Sequence, residues 1–365
     1  RLQVEHPVTE AITGLDLVEW QLRVAAGEPL PLKQEDIRFR GHAIEVRLCA
    51  EDAAHGFMPQ SGTMRRWQAP EGIRVEHALR PGAQIPPYYD SMIAKLVAHG
   101  ATREEARRRL LRGLGDTVAL GVVTNQTFLS RCLSHPDFAA GEATTAFIAQ
   151  NEAALLGVDA AVRRRAAAIC AWLLHRTAAE PARGASARLA PSLPVGLSFL
   201  LDGEAVSARV AQVSPSGFVI EIDGERHDLA AVETGEDAAR FILGGVMETV
   251  RFTREGALLH MRCGANVHRA EDLTRAPAAR GGGAAGDGRV KAAMNGRVVA
   301  VEVAAGESVI LGKPLLTLEA MKMEHVHAAG VAGIVKAVHA TSGDQVAAGQ
   351  ILIEIEPDAK QGSQP

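Results

Sequence analysis

A multidomain chain mixing α+β and all-β parts is what this sequence predicts, on three observations. Over roughly the first 150 residues, helical and extended patterns alternate. From Pro194 to about Asp272, short β-like runs recur between Asp-Gly and Ser-Gly pairs. Beyond residue 290 the chain repeats itself at an offset of 37 residues.

The elements follow in order. Leu15 to Ala26 places Leu15, Val18, Leu22 and Ala26 at helical spacing, and His42 to Cys49 alternates like a strand. Arg103 to Leu114 reads as a basic amphipathic helix whose arginines form a solvated face. Residues 158 to 178 give an Ala/Arg-rich helix. Six β-like runs come next: Gly196–Leu201, Ala205–Val213, Gly217–Ile222, Arg226–Ala230, Thr249–Thr253 and Ala257–Arg262. Asp202-Gly203 and Asp223-Gly224 are hairpin signals, because that dipeptide tolerates the positive φ a tight turn needs. Many short strands at this spacing read as a small sandwich or barrel. Residues 273–289, rich in Ala, Gly, Pro and Arg, cannot build a packed core and read as a flexible linker. The last residues, 358–365, read as a disordered tail.

Composition narrows the function. The 365 residues are 47% hydrophobic and 22% charged with a net charge of −4, so no strongly basic face is offered to nucleic acid. No apolar run approaches the ~20 residues a bilayer crossing needs, and no membrane role is expected. Cys49, Cys132, Cys170 and Cys263 are scattered, which supports neither a zinc site nor a disulfide framework and fits a reducing compartment. Lysine is scarce: seven of the 39 basic residues are Lys.

One of those seven stands at the centre of the repeat. The offset pairs Gly296 with Gly333, Val298 with Val335, Gly306 with Gly343, Val309 with Val346, Gly312 with Gly349 and Leu315 with Leu352. Two copies of a strand–turn–strand unit would make a flattened β-barrel with a rough two-fold axis. Glu319-Ala320-Met321-Lys322-Met323-Glu324 joins the copies as a hairpin. A lysine at such a tip extends its amine on a long flexible stem, and two methionines beside it are odd for an exposed position. Ala320-Met321-Lys322-Met323 resembles the attachment motif of biotinyl carrier domains. The resemblance implies biotin bound covalently to Lys322, with Met321 and Met323 flanking it. Lipoyl domains share the fold but usually carry Asp-Lys-Ala at the tip, which this sequence lacks.

Arg1-Leu2-Gln3-Val4-Glu5-His6-Pro7-Val8-Thr9-Glu10 resembles the active-site strand of biotin carboxylases. The likeness continues through Thr13–Val18, His42–Arg47, Ala50–Asp52 and Pro86-Pro87-Tyr88-Tyr89-Asp90-Ser91-Met92, and covers residues 1–150. It implies the C-terminal lobe of an ATP-grasp fold. In the family, the position matching Glu5 is the general base for bicarbonate and that matching Arg1 clamps the anion. Backbone amides matching Gln3 and Val4 help hold it, and the position matching Arg47 stabilises the developing enolate oxygen of biotin. Tyr88 and Asp90 read as structural. ATP and Mg2+ (or Mn2+) are implied for the full-length subunit. No metal ligand is expected in this stretch, because the family's phosphate loop and most of its magnesium carboxylates lie upstream. A chain starting at Arg1 is therefore expected to be a fragment, inactive alone.

A helix followed by a small β-barrel over 151–272 resembles the domain that docks biotin-bearing alpha subunits onto a carboxyltransferase beta subunit. His135–Glu142 with Thr145–Ile148 looks most like 3-methylcrotonyl-CoA carboxylase alpha subunits, which act in leucine degradation. Geranyl-CoA, propionyl-CoA and acetyl-CoA carboxylase alpha subunits remain as alternatives, as do a non-catalytic carrier or scaffold and a lipoyl-type carrier. The carrier barrel is expected over 290–357. Expected partners are the carboxyltransferase beta subunit, within a hetero-oligomer, and a biotin protein ligase. The expected location is a bacterial cytoplasm, or the mitochondrial matrix for a eukaryote.

Overall fold

The computed structural model describes residues 2–178, 193–276, 288–321 and 323–357; Arg1, Lys322, most of the linker and the tail lie outside the described residues. The fold is mixed α+β and all-β. It divides into two compact units: residues 1–49, 64–83 and 92–276 form the first, and residues 50–63, 84–91 and 277–365 the second.

The first unit opens on a turn and not on a strand. His6–Thr13 is a helix, with Pro7 in its first turn and Gly14 left-handed at its end. Proline is pre-set for that first turn, because its fixed φ suits the helix and its missing N–H would be unpaired there anyway. The next helix is Leu17–Ala25, started by the Asp16 carboxylate, which accepts the Glu19 N–H at 2.8 Å. The spacing of Val18 and Leu22 is helical as expected, yet these side chains stay 47% and 68% exposed, so this apolar face is uncovered.

An antiparallel three-stranded sheet follows, with Met92–Gly100 between His42–Cys49 and Arg74–His77. Val46, Leu48, Ala94 and Leu96 turn one face into a core that Leu110 and Leu114 complete. Those leucines lie on Arg103–Asp116, a helix capped by Thr102 and two residues longer than the sequence pattern. Gly113 is the close-approach point: a Cβ there would lie 2.3 Å from Ile73 Cδ1.

Eight antiparallel strands from Val195 to Asp272 close into a barrel. Six match the runs read from sequence. The other two are Ala238–Leu243, which turns Ala239, Phe241 and Leu243 inward, and Asn266–Asp272, which turns Ala270 inward. The barrel is not filled by its own strands alone. Helix Ala160–Thr177 is buried at every position from Ala166 to Leu174 and shares one core with all eight strands. Trp172 packs against Phe218 and Phe241, with ring centroids 6.1 and 5.6 Å apart. A helix apolar all round is one surrounded on all sides. Asp202-Gly203 and Asp223-Gly224 both take positive φ, as two-residue hairpin loops require.

In the second unit the repeat becomes two four-stranded sheets around one core. Gly296–Val301 and Gly333–Val338 occupy equivalent places, as do Pro314–Ala320 and Ile351–Pro357. Ala320 pairs with Met323, so the joint between the two copies is two residues long.

Candidate active site and carrier tip

The sheet register assembles a charged face. Arg47 lies opposite Lys95, which lies opposite Glu76, so one row crosses all three strands. Glu45, Val97 and Arg74 form the adjacent row. Alternation puts these side chains opposite the apolar core, and helix His6–Thr13 covers this side through Glu10. The buried Glu10 carboxylate accepts from Arg74 at 2.7 Å and from the Leu17 N–H at 2.9 Å. Lys95 donates to Val4 O at 3.3 Å and pairs with Glu76 at 2.5 Å, tying the turn before the helix to the sheet.

Glu5 and Arg47, 42 residues apart in sequence, meet across this face: Nη2 lies 3.5 Å from Oε2. Both side chains are more than half exposed, at 63% and 53%, so the pair faces solvent and can exchange partners. Gln3 O and His6 Nδ1 lie 3.1 Å apart, which holds the turn carrying Gln3, Val4 and Glu5. Arg1, expected to clamp the anion, lies outside the described residues.

Two groups that sequence reasoning passed over support the site. Asn125, 6% exposed, accepts the Cys49 N–H at 2.9 Å and donates to Arg47 O at 3.2 Å, fixing the strand on both sides of Arg47's backbone. Lys95 sits among carboxylates. Burial pushes Glu45 above its ordinary value, against the pull of Lys95 and Arg47. Burial pushes Glu76 up as well, but hydrogen bonds from Lys95 and Arg74 hold it below the usual range. The scarcity of lysine that drew attention to Lys322 applies equally to Lys95. No sequence signal distinguishes Asn125, whose two bonds span 76 and 78 residues.

The carrier tip belongs to the second unit. Lys322 lies outside the described residues. Met321 adopts φ 49°, a left-handed conformation uncommon for a non-glycine residue and required here by the two-residue loop. Contrary to its expected exposure, Met321 is 5% exposed, and its N–H donates to Pro87 O at 3.1 Å. Asn295 Nδ2 adds a 2.7 Å bond to Ser61 Oγ. The odd methionine is therefore a packing residue. Met323 is half-buried, while Tyr88 and Tyr89 are largely exposed.

The four cysteines are free thiols. Burial raises Cys132 to about 11 and Cys263 to about 12, far from thiolate chemistry. Among the described residues no His, Cys, Asp or Glu cluster could hold a metal ion, and no helix is long and apolar enough to cross a membrane.

Comparison with known proteins fits this arrangement. Residues 45–150 match the biotin carboxylase C-terminal domain, and residues 288–355 match the biotin-requiring enzyme domain. Residues 1–33 match the ATP-binding domain of the carbamoyl-phosphate synthase L chain. Over 98% of its length the chain is 33% identical to the mitochondrial propionyl-CoA carboxylase alpha chain of Homo sapiens, covering 52% of that protein. It is 32% identical over 98% of its length to the mitochondrial methylcrotonoyl-CoA carboxylase subunit alpha of Mus musculus, covering 53% of it. Over 41% of the chain it is 52% identical to a biotin carboxylase of Halalkalibacterium halodurans, covering 34% of that protein. The chain thus spans about half the length of the two alpha subunits. The domains matched indicate biotin, ATP and Mg2+ as cofactors. The chain is thus similar to a biotin carboxylase C-terminal domain and to a biotin-requiring domain, and along almost all of its length to the alpha chains of biotin-dependent carboxylases.

Proposed function

We propose that the full-length subunit carboxylates biotin carried on Lys322, using ATP and bicarbonate, and delivers the carboxyl group to a carboxyltransferase beta subunit acting on an acyl-CoA. The observation that carries this reading is the presence, in one chain, of both matched domains, with Lys322 at the joint of the repeat. Within it, residues 1–150 are the carboxylase lobe and 151–272 the docking domain. Residues 273–289 are the tether, 290–357 the carrier and 358–365 a tail.

Glu5 takes the proton from bicarbonate, and Arg1 with the Gln3 and Val4 amides holds the anion. The 3.5 Å Glu5–Arg47 pair supports these roles, because a solvent-facing pair can open to admit an anion beside the guanidinium. Bound biotin supplies the ureido nitrogen that accepts the carboxyl group. Arg47 holds the negative charge that develops on the ureido oxygen.

The acyl substrate proposed is 3-methylcrotonyl-CoA, on the His135–Glu142 and Thr145–Ile148 stretch. Propionyl-CoA is the second reading, supported by an identity of 33% against 32%. The proposed compartment is a bacterial cytoplasm or the mitochondrial matrix.

The test is the intact mass of the chain after co-expression with a biotin protein ligase, beside Lys322→Ala. Gain of one biotin, absent from the variant, is expected. An unmodified chain, or one modified only by a lipoate ligase, sinks the reading.

A further inference from the structure

A cavity of about 590 Å³ lies between helix Arg103–Asp116 and the barrel strands Val246–Glu255 and Leu258–Cys263, all within the first unit. Four arginines line it, Arg109 and Arg112 from the helix and Arg251 and Arg262 from the barrel, against two carboxylates, Glu71 and Asp116.

The barrel arginines are arranged in an unusual way. Arg251 and Arg262 are direct cross-strand partners. Like charges so placed, with Cβ atoms ~4.5–5.5 Å apart, repel and destabilise the pairing. Arg262 is only 8% exposed; it donates to Gly264 O at 3.0 Å, while its buried Nε meets no acceptor. Among the described residues neither arginine has a carboxylate at ion-pair distance. Arg254 and Arg240 on the barrel, and Arg165 on the enclosed helix, do have one: Arg254 with Asp272 at 2.6 Å, Arg240 with Glu233 at 3.4 Å, Arg165 with Glu248 at 2.7 Å. On the helix wall, Glu105 occupies Arg109 at 2.5 Å, but Arg112 reaches Asp116 only at 3.7 Å. Burial pulls the Arg262 guanidinium below its ordinary value; Asp116 pushes it back up and Arg251 further down. It remains charged, because arginine starts so high.

Two adjacent guanidiniums on the wall of a cavity, neither with an ion-pair partner among the described residues, are a site waiting for negative charge. We propose that this cleft binds a diphosphate-bearing anion, with Arg251 and Arg262 each holding a phosphoryl group and Arg112 facing them. Guanidinium is a planar fork that matches phosphate oxygens in pairs. A lone carboxylate would compensate only one of the two arginines. The cavity also has room beyond the phosphates, so the diphosphate can be inorganic or part of a nucleotide.

The experiment is thermal unfolding and calorimetric titration of this chain with inorganic pyrophosphate and, separately, with ADP. Sodium chloride at matched ionic strength is the control. We expect either diphosphate to raise the melting temperature well beyond the chloride control. A stronger response to ADP assigns the remaining volume to the nucleoside; equal responses confine recognition to the phosphates. Arg251→Gln relieves the repulsion, so its melting temperature without anion should equal or exceed that of the unaltered chain. Its affinity should fall roughly tenfold or more, one charge-assisted contact being lost. Arg262→Gln should weaken binding likewise, but Arg251→Gln is decisive because it leaves the more buried side chain in place. Absence of any response beyond chloride, or an undiminished response in Arg251→Gln, overturns the site.

Discussion

Glu5 sits on a turn held by Lys95 and by the His6–Gln3 contact, so its carboxylate can be altered without disturbing the sheet beneath. In the full-length subunit, Glu5→Gln keeps the shape and removes the proton acceptor. Bicarbonate-dependent ATP cleavage should drop ~10²–10⁴-fold, the usual contribution of a general base; near-normal turnover excludes the role. Asn125 is the complementary case, a positioning residue that touches only backbone. Asn125→Ala leaves the Cys49 N–H and Arg47 O without this partner, at a cost of about 1–3 kcal/mol. Urea denaturation should show that loss; an unchanged midpoint refutes the positioning role. Of this group, Glu5, Gln3, Val4 and Arg47 were nameable from the motif. Lys95 and Asn125 were not, because their roles depend on strand register and on contacts 76 or more residues away.

The barrel and its enclosed helix form one cooperative element, and its response to pH follows from His260. Only 9% exposed and facing Arg269 and Arg65, this imidazole is pushed by burial, then by those charges, down to about 4. The folded state therefore resists protonation more than the unfolded chain, whose histidine titrates near 6.5. Above pH ~6.5 both states are neutral and nothing is lost. Between ~6.5 and ~4 the unfolded state takes up the proton first, and stability falls by on the order of 3 kcal/mol. His260→Leu should flatten that part of the pH–stability curve of barrel unfolding; an unchanged slope refutes the assignment. At this scale the Asp-Gly hairpins were legible because their chemistry is local. The enclosure of helix Ala160–Thr177 was not: its alanines suit a solvated helix as well as a close-packed one, and only the surrounding strands decide between them.

For the whole molecule, the middle region is the proposed contact to the beta subunit. Removing the barrel alone would strand the buried face from Ala166 to Leu174, so helix and barrel must be deleted together, over residues 158–272. We expect such a full-length variant to be biotinylated as before and to lose co-purification with the beta subunit. Retained co-purification would falsify the docking role. The tip contacts within the second unit, Met321 with Pro87 and Asn295 with Ser61, add a constraint on the carrier: Met321 must leave its buried place whenever the tip departs from that loop.

By itself the sequence determined the identities of the parts: the repeat and its central lysine, the hairpin turns, the strand carrying Arg47 and the motif carrying Glu5, though not the turn that Glu5 sits on. These rest on periodicity and local backbone chemistry, which act within a few residues. Tertiary structure alone decided which side chains meet. It joined Glu5 to Arg47, set Lys95 and Asn125 behind them and closed eight strands around a helix. It also buried Met321 and put Arg251 opposite Arg262 with no carboxylate at ion-pair distance of either among the described residues. Each of these depends on register and enclosure between segments far apart in the chain, where local propensity carries no information.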